Sequence, residues 1–511
     1  MDQAAPTGQV VLIGGGPGDA QLLTLEALHW IRRADALVVD RLAPRQVLQW
    51  APPGVECIDA GKDPSGRRAD QGWINETMIA LAARGKLVVR VKGGDPLVFG
   101  RGAEEAAALR AAGIPYRIVP GITAAVAAAA AAEIPLTDRR CAASVALVTG
   151  REDPAREATR IDDAALAGMD TVVVYMGVGA LPSITARLLA AGKPSATPAA
   201  IVERTGLPGE RIVRGTLETI AGQAEREGVG APALLIVGEV VALAPEVPWR
   251  RRLPLGGATV LVTRAATQAS GLVGPLRELG AAVVEAPTLA IEPIDTCGAL
   301  DAAIDAIGTY AWLAFTSANG VEAVFGRLAA RGLDARILAP VRIAAVGSAT
   351  AEALAGRSIR ADLVASPHTG EALAAAMIAA GDVRGRRVLL ARADRATAAL
   401  PEALRAAGAT VDDAAVYRTA RPAALDEAAA EALREGRVDW ITFTSRSTVE
   451  NLLALADRAW LTGGVRLASI GPVTSAALAE AGLTPAVEAD PHTIDGLVRA
   501  IAAAWGGGHG A

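Results

Sequence analysis

Residues 10 to 19, VVLIGGGPGD, constrain the fold more than any other stretch of the chain. Val10, Val11, Leu12 and Ile13 read as a buried strand, and Gly14 to Gly16 as a turn that opens a helix whose first turn is entered at Asp19. Glycines permit positive φ and close approach of a ligand, Pro17 fixes one φ angle, and Gly18 keeps the turn open. Gly14 and Gly16 fit the first two positions of a dinucleotide fingerprint, GxGxxG. Asp19 takes the third, where helix packing needs a small residue, and no Lys-Ser/Thr of a P-loop follows. A carboxylate there argues against a pyrophosphate and for a ligand with hydroxyls or positive charge. S-adenosylmethionine, with its ribose, ammonium and sulfonium, is such a ligand; a plain strand-to-helix turn is the competing reading.

A chain of 511 residues, 51% hydrophobic, can bury substantial cores and should form at least two domains. A net charge of -5 and the lack of any basic tract argue against a nucleic-acid surface. Cys57, Cys141 and Cys297 are isolated, and His29, His368, His492 and His509 form no metal signature, so the expectation is a reducing cytoplasm and no metal. The N-terminus has no basic leader pattern, and the longest apolar run, around Ala124 to Ala132, is too short to span a bilayer. A soluble, cytoplasmic protein is expected.

From Val10 to about Ala244, short Val/Leu/Ile runs alternate with longer segments of helical period, which reads as α/β with a largely parallel sheet. Strands are expected at 10–14, 35–40, 86–94, 144–150, 170–177, 198–204 and 233–241. Ligands of such sheets sit beyond the carboxyl ends of strands. Those ends carry Asp40-Arg41, Gly61-Lys62, Gly93-Gly94-Asp95-Pro96 and Tyr175-Met176-Gly177.

In order, the segments VVLIGGGPGD, VDRL, AGK followed by QGWIN, VRVKGGDPLVFGRGAEEAAAL, AGIPYRIVPGITAA, EIPLTD, VVYMGV, GTL and PALLIVGEVV resemble uroporphyrinogen-III C-methyltransferases, of the tetrapyrrole methylase class. The resemblance covers nearly all of residues 8 to 245. It implies that Pro17, Gly93, Gly94, Asp95, Val98, Thr123, Ala124 and Met176 contact S-adenosylmethionine, that Asp40 accepts a proton and that Lys62 donates one. The family's later ligand-contacting Gly falls on Thr205, so Ala200 and Thr205 are expected to line the pocket through backbone groups. After Lys62 the chain departs from the family with Asp63-Pro64-Ser65-Gly66. The class also implies a homodimer through this half.

The chemistry is consistent with these roles. Methyl transfer is a displacement at a sulfonium carbon, so donor and nucleophilic pyrrole carbon must be held close and in line. Carbon attack leaves a proton to be lost and charge to be balanced, which suits a carboxylate and an ammonium. The competing readings are a helix-capping carboxylate for Asp40 and a solvated loop charge for Lys62. Uroporphyrinogen carries eight carboxylates, so cationic donors are expected, with Arg41 and Arg101 as candidates against ordinary surface ion pairs.

APEVPWRRRLPLGG, residues 244 to 257, concentrates proline, glycine and arginine without periodicity, and marks a linker at 246–257. The second half then repeats itself. TVLVTRAATQ from Thr259 is echoed by RVLLARADRA from Arg387, YAWLAFTSAN by VDWITFTSRS, and VRIAAVGSAT by VRLASIGPVT, at offsets of 128, 128 and 124 residues. Duplication implies two similar α/β lobes with a cleft between them. VTRA, WLAFTSANGV, IAAVGSAT, LLARAD, VYRT, WITFTSRSTV and LASIGPVTS resemble uroporphyrinogen-III synthase over about 258 to 503. That family implies lobe one from about 258 to 292 plus 420 to 503, with lobe two between. It also implies that Tyr417 helps a hydroxyl leave; packing in the core is the alternative. Thr316, Ser317, Asn319, Ser348, Thr444, Ser445, Ser447 and Thr474 lie at apparent strand-to-helix turns, where hydroxyls and free amides bind carboxylates or simply cap helices.

The expected architecture is therefore α/β throughout. Residues 1–245 form a two-part tetrapyrrole methylase fold, 246–257 a linker, and 258–511 a two-lobed synthase fold. The expected activities are cyclisation of hydroxymethylbilane to uroporphyrinogen III and its methylation at C2 and C7 to precorrin-2, with tetrapyrroles as substrates and neither nucleic acid nor membrane as a partner. Two rivals stand beside this: a methyltransferase of a later precorrin, and a methyltransferase with a non-catalytic tetrapyrrole-binding second half.

Overall fold

The computed structural model describes residues 8–52, 54–61, 70–151, 160–264, 266–294 and 298–506. The first sheet contains β1 (Gln9–Gly14), β2 (Ala36–Val39), β3 (Glu56–Asp59), β4 (Leu87–Lys92) and β5 (Tyr116–Val119), in the order β3-β2-β4-β1-β5. All its pairings are parallel. Helices cover both faces, so β1 and β2 are buried along almost their whole length, which is why they read as unbroken aliphatic runs.

The second sheet holds β6 (Val145–Thr149), β7 (Thr171–Tyr175), β8 (Pro198–Glu203), β9 (Arg211–Thr216) and β10 (Ala233–Val237), ordered β6-β7-β10-β8-β9. Only β6 and β7 pair in parallel; the other neighbours are antiparallel. The expectation of a largely parallel sheet fails here. Residues 204–210 are too few for a crossover, so β8 must turn back on itself as a hairpin. Three strands, β3, β5 and β9, were not expected; the first two are short edge strands whose outer faces stay exposed. The helix Ala124–Ala132 leaves the first sheet and packs Ala125, Ala128 and Ala132 against Val173, Tyr175 and Ala200 of the second. Side chains this small let helix and sheet approach closely, and so join the two parts into one body.

The linker is anchored at both ends. Trp249 hydrogen-bonds the Ala130 carbonyl and the Glu133 carboxylate, while Leu255 is fully buried and donates to the Leu279 carbonyl at 2.8 Å.

Beyond it lie β11 (Thr259–Val262), β12 (Ala282–Glu285), β13 (Ala290–Pro293), β14 (Tyr310–Phe315), β15 (Arg342–Ala345), β16 (Leu363–Val364), β17 (Arg387–Ala393), β18 (Thr410–Ala420), β19 (Trp440–Phe443), β20 (Arg466–Ser469) and β21 (Val487–Glu488). They form two sheets, β12-β11-β19-β20-β21 and β13-β18-β17-β14-β15-β16. The chain passes between the sheets after β12 and again after β18. Strand β13 pairs antiparallel with β18 of the second lobe, although its residues 290–292 are assigned from sequence to the first.

The repeat is exact in register. Thr259 pairs with Ala282 as Arg387 pairs with Thr410, each 128 residues on; Val260 pairs with Trp440 as Val388 pairs with Trp312. Trp312 and Trp440 are both fully buried, each beneath an arginine of the next strand, Arg342 at 4.0 Å and Arg466 at 4.7 Å from the ring centroid. Each sheet thus combines the first part of one copy with the second part of the other.

Candidate active sites

Three parallel strand ends meet at the glycine turn without side chains between them. A Cβ on Gly14 would collide with the Gly121 backbone and lie 2.6 Å from the Gly94 carbonyl oxygen. Gly16 and Gly94 exchange backbone hydrogen bonds of 3.2 and 3.0 Å. Gly94, at φ +71°, is less crowded: a Cβ there would make ordinary contacts of 3.8 to 3.9 Å with residues 122–124. The backbone there brings the expected methyl-donor positions Gly94, Thr123 and Ala124 together, with Gly93 adjacent in sequence, as a candidate cradle.

The remaining expected positions are distributed as follows. The two Asp95 carboxylate oxygens accept from Leu97 N at 2.8 Å and Gly121 N at 3.0 Å, stapling two loops of the cradle. Thr123 shares a 2.6 Å hydrogen bond with the Tyr175 hydroxyl, which also accepts from Ala125 N at 3.0 Å, so an aromatic from the second sheet takes the place of a side-chain cap. Met176, at φ 53°, is half exposed beside it, and the Phe99 ring lies 4.9 Å from that of Tyr175. Val98 packs partly buried against the same core. Pro17 is half-buried, and a Cβ on the adjacent Gly18 would stand 2.5 Å from the Thr205 carbonyl, so the 204–210 hairpin closes one side. Ala200 is fully buried inside the second sheet.

Four of the six non-glycine residues with positive φ among the described residues, Phe99, Arg101, Met176 and Arg204, lie in loops around this site. Such conformations cost about 1–3 kcal/mol each and persist only where surrounding packing imposes them.

Asp40 stands where β2 ends, 30% exposed, and receives Arg90 Nη2 at 2.5 Å. It caps no helix. Lys62 lies outside the described residues. Arg41 is exposed, and Arg101 forms a surface pair with Glu104 at 2.7 Å. What sequence reasoning missed is a buried charge cluster behind Asp40. Arg90, Lys92 and Glu105 are at most 2% exposed, and Glu105 Oε1 accepts from Arg90 Nε at 3.1 Å, Lys92 Nζ at 2.8 Å and Gln71 Nε2 at 3.1 Å. Burial first, then the neighbouring Arg90, pulls the Lys92 ammonium below its ordinary range, against the opposing pull of Glu105 and Asp40. The signal was available: cations inside the aliphatic strand LVVRVK are costly to bury without partners.

In the second half, Ser317 Oγ and Tyr417 Oη are 2.9 Å apart, and Ser317 also caps the helix Ala318–Ala330 by accepting from Gly320 N at 3.1 Å. Tyr417 is 7% exposed, and Thr316, next to Ser317 in sequence, is half-buried. In the other lobe Ser445 caps Arg446–Leu455, forms a reciprocal capping box with Thr448 and lies 2.9 Å from Ser447 Oγ; Thr444 is half-buried. Thr474 sits inside a helix and is 3% exposed, so its hydroxyl is not offered to solvent in this conformation. Sequence reasoning also passed over Arg264 and Arg392, which occupy the same place in VTRA and LARA, 128 residues apart. Arg392 is bound by both oxygens of Asp413. Burial lowers the basicity of Arg264.

Among the described residues no group of three or more His, Cys, Asp or Glu could hold a metal ion, and no helix is long and apolar enough to cross a membrane.

Residues 9–221 match the family model of Tetrapyrrole (Corrin/Porphyrin) Methylases, and residues 270–499 that of Uroporphyrinogen-III synthase HemD. The chain is 36% identical over 452 residues to the Porphyrin biosynthesis protein HemD of Ruminiclostridium josui, covering 88% of each. It is 46% identical over 235 residues to the Uroporphyrinogen-III C-methyltransferase of Priestia megaterium, covering 46% of this chain and 98% of the relative. A solved uroporphyrin-III-C-methyltransferase from Thermus thermophilus is 42% identical, covers 46% of this chain and 95% of its own, and has a TM-score of 0.39.

Proposed function

Because the chain belongs to the family of porphyrin biosynthesis proteins that join a tetrapyrrole methylase to a uroporphyrinogen-III synthase, we propose that it carries out both reactions. The second half closes hydroxymethylbilane to uroporphyrinogen III, and the first half methylates that product at C2 and C7 to precorrin-2, on the way to sirohaem or cobalamin. The tandem of a methylase match at residues 9–221 and a synthase match at residues 270–499, in a chain aligned to one porphyrin biosynthesis protein over 88% of both, is the observation that carries this reading.

The cradle suits S-adenosylmethionine: its walls are backbone at Gly93, Gly94, Thr123 and Ala124, and the carboxylates of Asp19 and Asp95, on the loops after β1 and β4, suit hydroxyls and positive charge. When bound, that group supplies an electrophilic methyl. Pro17, Val98, Met176, Ala200 and Thr205 complete the surroundings through packing and backbone groups. Asp40, the solvent-reaching carboxylate beside the buried charge cluster, takes the proton that a neighbouring nitrogen or carbon loses once the pyrrole carbon has gained its methyl. Lys62, as donor, and Arg41 and Arg101, as carboxylate partners, fill the remaining roles of the reading.

In the synthase half the substrate is intrinsically reactive, so positioning in the cleft supplies most of the effect. Tyr417 assists departure of the hydroxyl, while Thr316, Ser317, Thr444 and Ser445 lie at turns whose amides and hydroxyls receive substrate carboxylates. A cytoplasmic homodimer, paired through the methyltransferase half, completes the reading.

Incubation with hydroxymethylbilane, with and without S-adenosylmethionine, separates this from its rivals. Uroporphyrinogen III is expected without the donor and a dimethylated product with it. Uroporphyrinogen I alone would remove the synthase assignment, and failure to methylate authentic uroporphyrinogen III would remove the transferase assignment. Asp40→Ala should lower methylation by roughly 10²-fold or more while leaving S-adenosylmethionine binding nearly intact.

A further inference from the structure

Strand β4 places two cations, Arg90 and Lys92, on the same face of a sheet interior, where unpaired charge is strongly unfavourable. One carboxylate, Glu105 from the helix Gly102–Ala111, meets both through a single oxygen, and its other oxygen is buried without a hydrogen-bond partner among the described residues. A staple between helix and strand would need one such pair. The third connection runs elsewhere: Arg90 uses Nε on Glu105, Nη1 on the Val38 carbonyl at 3.3 Å, and Nη2 on Asp40 at 2.5 Å. The planar guanidinium thus spans from a fully buried carboxylate to one that reaches solvent. A fork gripped at three points fixes its own plane, and its single Nη2 contact fixes where Asp40 Oδ1 sits.

We propose that Arg90, itself fixed by Glu105 and Lys92, is the positioning residue for Asp40 in methylation. It holds Asp40 Oδ1 at the strand end and leaves the other oxygen to face the nitrogen or carbon that loses its proton. Lys92 balances the second carboxylate and lets Glu105 grip Arg90 without leaving the cluster with net negative charge. This inference rests on Asp40 as proton acceptor, and the test separates the two claims.

The test is a double-mutant cycle in the full-length protein, with uroporphyrinogen III as substrate: Asp40→Asn, Arg90→Lys and the pair. The readouts are kcat, the Kd for S-adenosylmethionine by calorimetry, and the melting temperature. Arg90→Lys keeps the charge and loses the fork, and should lower kcat by about 10- to 100-fold with donor affinity unchanged within about twofold. In the Asp40→Asn background the same change should have little further effect. Multiplying effects, or a kcat unaltered by Arg90→Lys, would overturn the positioning role. If Asp40→Asn alone leaves kcat intact, the assignment of Asp40 as acceptor is what fails, and the proposal goes with it. Should Arg90→Lys not fold, Glu105→Gln, which keeps shape and removes the anchoring charge, takes its place in the cycle under the same criteria.

Discussion

At the scale of single residues, the hydroxyl pair Ser317–Tyr417 separates two jobs that coincide in space. Ser317 holds a helix N-terminus, and Tyr417 presents a phenol that is almost buried yet bonded at its tip. Removing the serine oxygen deletes a cap, worth about 1 kcal/mol, but leaves the phenol in place. Removing the phenol oxygen leaves the cap and deletes the group able to protonate or bind a departing hydroxyl. Tyr417→Phe should therefore reduce enzymatic formation of uroporphyrinogen III by roughly 10²-fold with little loss of stability, whereas Ser317→Ala should lower the melting temperature with a smaller rate effect. Separation of the oxidised porphyrin isomers gives the rate, and calorimetry the stability. Equal rates for Tyr417→Phe and the unaltered protein would leave the tyrosine as a core aromatic.

At the scale of elements, legibility followed burial. Strands covered on both faces announced themselves as aliphatic runs, and β1, β2, β7 and β10 were found from sequence. Edge strands such as β3 and β5 carry exposed Glu56, Cys57, Arg117 and Ile118, and have no such signature. The cradle glycines were legible because only glycine fits Gly14 and Gly121. The charge cluster was not, since no periodicity tells which helix will deliver Glu105 to Arg90 and Lys92. Hairpin β8–β9 escaped for a similar reason: parallel and antiparallel strands share a composition, and only connection length distinguishes them.

Element edges also carry a titration. Glu285 ends the edge strand β12, where burial raises its carboxyl above the ordinary value and Arg277, at 3.4 Å, opposes this only in part. The folded state then binds this proton more tightly than the unfolded chain. The favourable contribution is complete below the unfolded carboxylate range and is lost as pH rises through the folded value. At neutral pH the ionised group is a liability, so Glu285→Gln should raise the melting temperature of the second half. That gain should shrink to nothing below about pH 4, where the native carboxyl is already protonated. A gain independent of pH would mean that charge is not its cause.

At the scale of the whole molecule, the repeat and the lobes divide the second half differently. In sequence the copies run in tandem, from Thr259 and again from Arg387. In space β11 and β12 of the first copy join β19, β20 and β21 of the second, while β14, β15 and β16 join β17 and β18. The hydrophobic cores obey the lobes and not the copies: the clusters around Phe315 and Trp312 draw only on residues between 291 and 417, and those around Trp440 and Phe443 on both flanks. Each copy taken alone therefore owns half of two cores and the whole of neither. Cutting at the exposed Gly385, between the copies, should give fragments 258–384 and 385–506 that lack a cooperative thermal transition separately, since each leaves a central strand without its neighbour. Mixed at equal concentration they should recover one, because every missing strand is then supplied. Residues 290–420 by themselves contain a complete sheet and core and should melt cooperatively at any concentration. A cooperative transition in either copy alone, or none in 290–420, would show that the unit of folding is the sequence repeat and that the spatial lobe is secondary to it.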